Sequence, residues 1–150
     1  EYYNMEARME ILLYASDRAQ DIYDNIRPAL KQEKIVLADR FVDSNIAYQG
    51  YGRQLDVEMI RKINDWVIGE YSPDLTIFLD IDVVTGLNRA KKSKGNRDRL
   101  EGEIIEFHQR VRSAFLKMVK AEKRFVSFNG DQEVELIQQK IYKTVKERLL

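Results

Sequence analysis

The sequence predicts an α/β fold, a parallel β-sheet flanked by helices, in one domain spanning residues 1–150. Two observations point to it. The runs Lys34-Ile-Val-Leu-Ala-Asp-Arg-Phe41 and Pro73-Asp-Leu-Thr-Ile-Phe-Leu-Asp-Ile81 are compact and apolar without alternation, the pattern of strands covered on both faces of a parallel sheet. Stretches with helical spacing separate them, and strands that alternate with helices imply right-handed crossovers. In such sheets chemistry gathers at the carboxyl ends of the strands. Those ends carry Asp39 and Arg40, Asp80 and Asp82, and Asn129 to Asp131, three points expected to face one cleft.

From the N-terminus, Met5, Met9, Leu12, Ala15, Ala19, Ile22, Ile26 and Leu30 recur at helical spacing. Pro28 lacks an amide hydrogen and crowds the preceding turn, so this helix is expected to end or kink near Arg27, with one further turn to about Gln32. The first strand follows over 34–41. Asp43 to Gln49 reads as a short helix, and Val57, Ile60, Ile63 and Val67 mark a longer one. After the second strand, Thr85 to Lys94 is helical. Ile104, Phe107, Val111, Ala114, Phe115 and Met118 form one amphipathic stripe, and Val134, Ile137, Ile141 and Val145 form another. Between these two helices a weaker third strand, Arg124-Phe-Val-Ser-Phe-Asn129, is closed by Gly130. No internal repeat or domain boundary interrupts the pattern.

Composition narrows the function. With 25 Lys plus Arg against 25 Asp plus Glu the formal net charge is zero, which argues against a nucleic acid polymer as partner. The absence of Cys excludes thiol chemistry, and a lone His108 makes a zinc site improbable. A chain of 150 residues buries close to roughly 70% of its unfolded surface, enough for a core without disulfides. The longest apolar runs, Ile35 to Ala38 and Thr76 to Leu79, fall far short of the ~20 residues of a membrane span. No secretory signal pattern opens the sequence, so the expected address is the cytoplasm, with no membrane partner.

Asp39 and Arg40 are the most informative pair. A carboxylate and a guanidinium ending an apolar strand are costly unless they meet partners; Arg suits a phosphate through its fork, and Asp suits a hydrated magnesium ion. A structural ion pair at the sheet edge is the competing reading. Arg18 lies beside small alanines on the first helix, where a ligand could approach, although a solvated arginine is the commoner fate. Asn45, Tyr48 and Gln49 stand at i, i+3 and i+4 and so share a helical face able to read a flat base and a sugar. Lys91-Lys-Ser-Lys-Gly-Asn-Arg-Asp-Arg99 holds five basic residues in nine positions, the composition of a phosphoryl-transfer lid over about 91–100, or of an ordinary solvated loop. Trp66 and the methionines belong to packing. No G-x-x-x-x-G-K-[ST] phosphate loop occurs in the 150 residues.

Taken together, Leu12-Leu-Tyr-Ala-Ser-Asp-Arg-Ala-Gln20, Asp39-Arg-Phe41, Asp43-Ser-Asn-Ile-Ala-Tyr-Gln-Gly-Tyr-Gly52, Pro73-Asp-Leu-Thr-Ile-Phe-Leu-Asp80 and Asn96-Arg-Asp-Arg-Leu-Glu101 resemble bacterial-type thymidylate kinase in order and spacing over nearly the whole chain. The resemblance implies a P-loop nucleoside-monophosphate kinase fold, transfer of a phosphoryl group from ATP to dTMP with magnesium, and a homodimer. It implies that Arg18 contacts the thymine base with Asn45 and Gln49 beside it, and that Tyr48 lies under the deoxyribose. Arg40 would hold the acceptor phosphate, Asp39 would lie near the metal and the transferred group, Arg97 and Arg99 would be lid arginines, and Arg89 would lie near ATP. Phe41 stands where the family more often has tyrosine or histidine. The family's first strand, phosphate loop, following helix and second strand have no counterpart here. The 150 residues are therefore expected to be the C-terminal three quarters of the fold, in a longer polypeptide or as a true fragment. A catalytically inactive fragment that only binds nucleotide or dimerises is the alternative function. The rival among enzymes is a P-loop kinase acting on a nucleoside or a different monophosphate.

Overall fold

The computed structural model describes residues 5–92 and 103–150, which gather into two units taken here in turn, Glu1–Ser72 and Pro73–Leu150. In the first unit Glu6 starts helix α1 (Ala7–Asp21): its carboxylate accepts from the backbone N–H of Arg8 at 2.8 Å and of Met9 at 3.1 Å, donors that the helix cannot satisfy itself. The buried face is Ile11, Ala15, Ile22 and Ile26. Ala15, Ile22 and Ile26 of the expected stripe are thus buried, while Met9, Leu12 and Leu30 are 47%, 57% and 42% exposed and Ile11 takes the inward place in the first turns. The helix does not stop at Arg27 but is interrupted just before it and runs one further turn past Pro28, to a C-cap at Gln32, as expected. The chain passes through a π-helical turn, Ile22–Ile26, into α2 (Arg27–Lys31), with Pro28 in the first turn of that segment. A wider i→i+5 turn shifts the ladder just ahead of a residue that has no N–H to contribute, which is how the expected extra turn is accommodated.

The expected first strand is not one. Residues 34–38 join no ladder among the described residues, and Leu37 is 91% exposed. An apolar run becomes a strand only where a neighbour supplies hydrogen bonds, and no described segment does. Val36 and Phe41 instead pack on Ile22, Ile26, Val42 and Ile68. Helix α3 (Val42–Asn45) runs directly into a second π-helical segment, Ile46–Gly52, and α4 (Val57–Ile68) follows. Asp56 caps α4 through the N–H of Glu58 at 2.9 Å and of Met59 at 3.2 Å, and Gly69, at φ 53°, closes it. Gly50 lets α4 approach closely, since a Cβ there would stand 3.1 Å from Val57 Cγ2.

The second unit holds β1 (Thr76–Asp80), α5 (Val83–Lys92), α6 (Ile105–Ala121), β2 (Phe125–Asn129) and α7 (Val134–Leu149). The strands pair in parallel, from Thr76 opposite Phe125 to Asp80 opposite Asn129. A parallel pair needs a long crossover, and α5 and α6 lie within it. Helix α6 buries Phe107, Val111, Ala114 and Met118, as its periodicity predicts, whereas Ile104 is its exposed N-cap. Phe115 stacks on Phe78 of β1 with ring centroids 4.9 Å apart. On α7 only Ile137 of the expected stripe is fully buried, and Val134 is 62% exposed. No described helix is long and apolar enough to cross a membrane.

Candidate active site

In the first unit, α1 and the segment 35–41 border a groove of about 650 Å³ lined by Tyr14, Asp17, Arg18, Asp39, Arg40 and Phe41, among others. Three of the expected site residues, Arg18, Asp39 and Arg40, therefore meet at one surface. Arg18 lies over Phe41, its guanidinium carbon 4.7 Å from the ring centroid. Its Nε and Nη1 are buried and have no hydrogen-bond partner among the described residues. Burial pushes the guanidinium below its ordinary pKa, with Asp17, Asp21 and Asp43 pulling the other way. Such donors are expensive to leave unmatched.

Arg40 adopts φ 66°, the left-handed region that non-glycine residues rarely occupy. Its guanidinium carbon stands 4.9 Å from the ring centroid of Tyr48, so the expected phosphate ligand and the expected sugar platform touch. Asp39 is exposed and has no hydrogen bond or ion pair with the other described residues. A solvated carboxylate beside an arginine is a suitable partial ligand for a magnesium ion, which keeps several waters and takes the rest of its shell from phosphates. No group of three or more His, Cys, Asp or Glu side chains that could hold a metal ion occurs among the described residues.

The α3 and π-helical segments carry the remaining expected contacts. Asn45 is 2% exposed, and its Nδ2 has no partner among the described residues. Gln49 is also 2% exposed but is engaged: its Nε2 donates to Glu10 Oε1 at 2.5 Å. Glu10, 1% exposed, has its other oxygen 3.5 Å from Arg53 Nη2. Asn64 Nδ2 donates to the Val42 carbonyl at 3.0 Å and fixes the start of α3 on α4. Glu10, Arg53 and Asn64 were not legible as site residues. The signal for Glu10 was Ile11, four residues before Ala15 of the expected stripe, which turns its neighbour inward.

In the second unit the strand ends Asp80 and Asn129 do share one edge, and Gly130 donates its N–H to the Asp80 carbonyl at 2.7 Å. The carboxylates of Asp80 and Asp82 are taken up structurally. Arg112 grips Asp80 with a two-pronged fork, Nε to Oδ1 at 2.6 Å and Nη2 to Oδ2 at 3.1 Å, and that hydrogen bonding raises the arginine's pKa. Asp82 caps α5, accepting from Val84 N at 3.0 Å and Thr85 N at 3.1 Å, which holds its carboxyl below the usual range. Arg89 donates to the Gly130 carbonyl at 2.9 Å and pairs with Asp131. Arg97 and Arg99 lie outside the described residues.

Residues 1–141 match the family model described as thymidylate kinase. A thymidylate kinase of Halothermothrix orenii is 50% identical over 144 residues, 95% of this chain and 69% of that protein. One of Bacillus cereus is 42% identical over 152 residues, covering all of this chain and 73% of its own. Among solved structures, the thymidylate kinase of Ehrlichia chaffeensis superposes with a TM-score of 0.73 at 29% identity, over 95% of this chain and 66% of that one. With a matching model over nearly its whole length and relatives at this identity, the chain belongs to the thymidylate kinase family and has the nucleoside-monophosphate kinase fold.

Proposed function

We propose that the full-length polypeptide carrying this chain transfers the γ-phosphoryl group of ATP to dTMP, giving dTDP and ADP. One observation supports it above the others. Arg18 Nε and Nη1 and Asn45 Nδ2 are buried donors without acceptors, on residue types that the family likeness puts at a base. Carbonyl oxygens of a pyrimidine ring would satisfy them, and Phe41 beside Arg18 provides a flat apolar contact.

In this reading Tyr48 packs under the deoxyribose, Gln49 completes the base contacts, and the Arg40 fork holds the acceptor phosphate through paired N–H bonds. The acceptor phosphate oxygen attacks the γ-phosphorus as the bond to the bridging oxygen of ADP breaks. Such transfer depends on alignment and charge neutralisation far more than on covalent help from the protein. Asp39 would hold Mg²⁺, which would screen the phosphates from one another. The family likeness gives Arg97 and Arg99 the role of supplying positive charge to the transferred group, and gives Arg89, which is held by Gly130 and Asp131, the ATP side. The protein works as a cytoplasmic homodimer, for which the exposed Met9, Leu12 and Leu13 of α1 offer apolar surface. No observation favours an inactive binding module.

The test is ATP-dependent turnover with dTMP, dUMP, dCMP and AMP compared as acceptors. The expected result is the highest kcat/KM for dTMP. A preference for AMP or dCMP assigns a different monophosphate kinase, and tight dTMP binding with no turnover assigns the inactive module.

A further inference from the structure

We infer that Glu10 is a positioning residue for acceptor selectivity: it clamps the Gln49 amide with its nitrogen turned inward, leaving the amide oxygen as the end available to the acceptor base. The inference rests on the thymidylate reading above.

A carboxylate only accepts hydrogen bonds, so the group of Gln49 that meets Glu10 Oε1 at 2.5 Å must be the NH₂. That bond fixes which way the amide points, with its oxygen turned away from Glu10 and one N–H still free to donate. Arg53, 3.5 Å from the second carboxylate oxygen, supplies the opposite charge that a side chain 1% exposed requires. The same two elements meet again further along. Arg18, eight residues after Glu10 on α1, lies over Phe41 at the entry to α3, and Asn45 falls between Phe41 and Gln49 in the chain. The seam between α1 and residues 42–52 thus carries unpaired donors on Arg18 and Asn45 and a fixed acceptor on Gln49. Thymine presents an N–H donor at N3, which a fixed amide oxygen matches, whereas N3 of cytosine is itself an acceptor and would face that oxygen lone pair to lone pair. A Gln49 amide free to invert would lose this discrimination.

The experiment titrates dTMP and dCMP against the full-length wild type, Glu10→Gln and Glu10→Asp. Glu10→Gln can show either end of its amide to Gln49. Glu10→Asp keeps the charge opposite Arg53 but withdraws it by one methylene. Each is expected to lower the ratio of dTMP to dCMP affinity by about tenfold, the scale of one hydrogen bond. In turnover assays KM for dTMP should rise while kcat stays close to wild type. An unchanged ratio in either folded variant, or equal weakening of both nucleotides, overturns the inference. So does failure of both variants to fold, which would make Glu10 a purely structural group. A wild type that does not prefer dTMP refutes the thymidylate reading itself, before any variant is compared.

Discussion

Arg40 concentrates the tension between stability and chemistry at the level of single residues. A left-handed backbone costs a side chain with a Cβ on the order of 1–2 kcal/mol, and at φ 66° this cost buys a guanidinium presented beside Tyr48 and the groove. Two substitutions separate backbone from charge. Arg40→Ala and Arg40→Gly should both lower kcat/KM for dTMP by several kcal/mol of transition-state stabilisation, on the order of losing a charge partner. In urea denaturation Arg40→Gly should be the more stable of the two by about 1 kcal/mol, because glycine is at ease in that region. Equal stabilities would show that the backbone is unstrained there. Arg40 stood out because a cation ending an apolar run is conspicuous, whereas Arg18 read alone suited a solvated arginine and became a candidate through the family resemblance. Glu10 was not legible: its burial follows from which face of α1 turns inward, and Met9 and Leu12 offered an equally regular stripe that the structure leaves half exposed.

Among the elements, the two π-helical segments, Ile22–Ile26 and Ile46–Gly52, were hidden from periodicity, because a single i→i+5 turn alters a pattern by only one residue. The second matters for the site, since Tyr48 and Gln49 lie on it. Its fit against α4 depends on Gly50, and Gly50→Ala is expected to destabilise the fold by ~1–3 kcal/mol, as overpacking against Val57 does, measured by chemical denaturation. Helix α6 was read well, because four buried positions at regular spacing leave little choice of face. Phe107→Ala there should cost about 3–5 kcal/mol. The capping aspartate of α5 gives a pH signature. Hydrogen bonds from Thr85 and Val84 lower the Asp82 pKa in the folded state, so its contribution is complete above the unfolded value and is lost as pH falls through the folded one. Thermal unfolding of Asp82→Asn should therefore differ from wild type at neutral pH and converge with it on acidification below about pH 4. A gap that stays constant with pH would contradict the cap.

For the molecule as a whole, the α/β class and the two strands β1 and β2 were legible, since apolar runs bounded by polar strand ends survive translation into structure, whereas which strand pairs with which was not. The run at 34–38 failed as a strand for the complementary reason: a strand is a property of two segments, and no partner for it lies among the described residues. Family membership, by contrast, rests on the joint order of short motifs, each weak alone, over residues 1–141. The central functional claim is that the buried, unmatched donors of Arg18 seat the acceptor base. Calorimetric titration of dTMP against wild type and Arg18→Met tests it most directly, with thermal unfolding of the free proteins alongside. The predicted result is a loss of dTMP affinity on the order of 10–100-fold, with stability held or raised because a desolvated cation has been removed. Unchanged dTMP affinity in a folded Arg18→Met protein would contradict it.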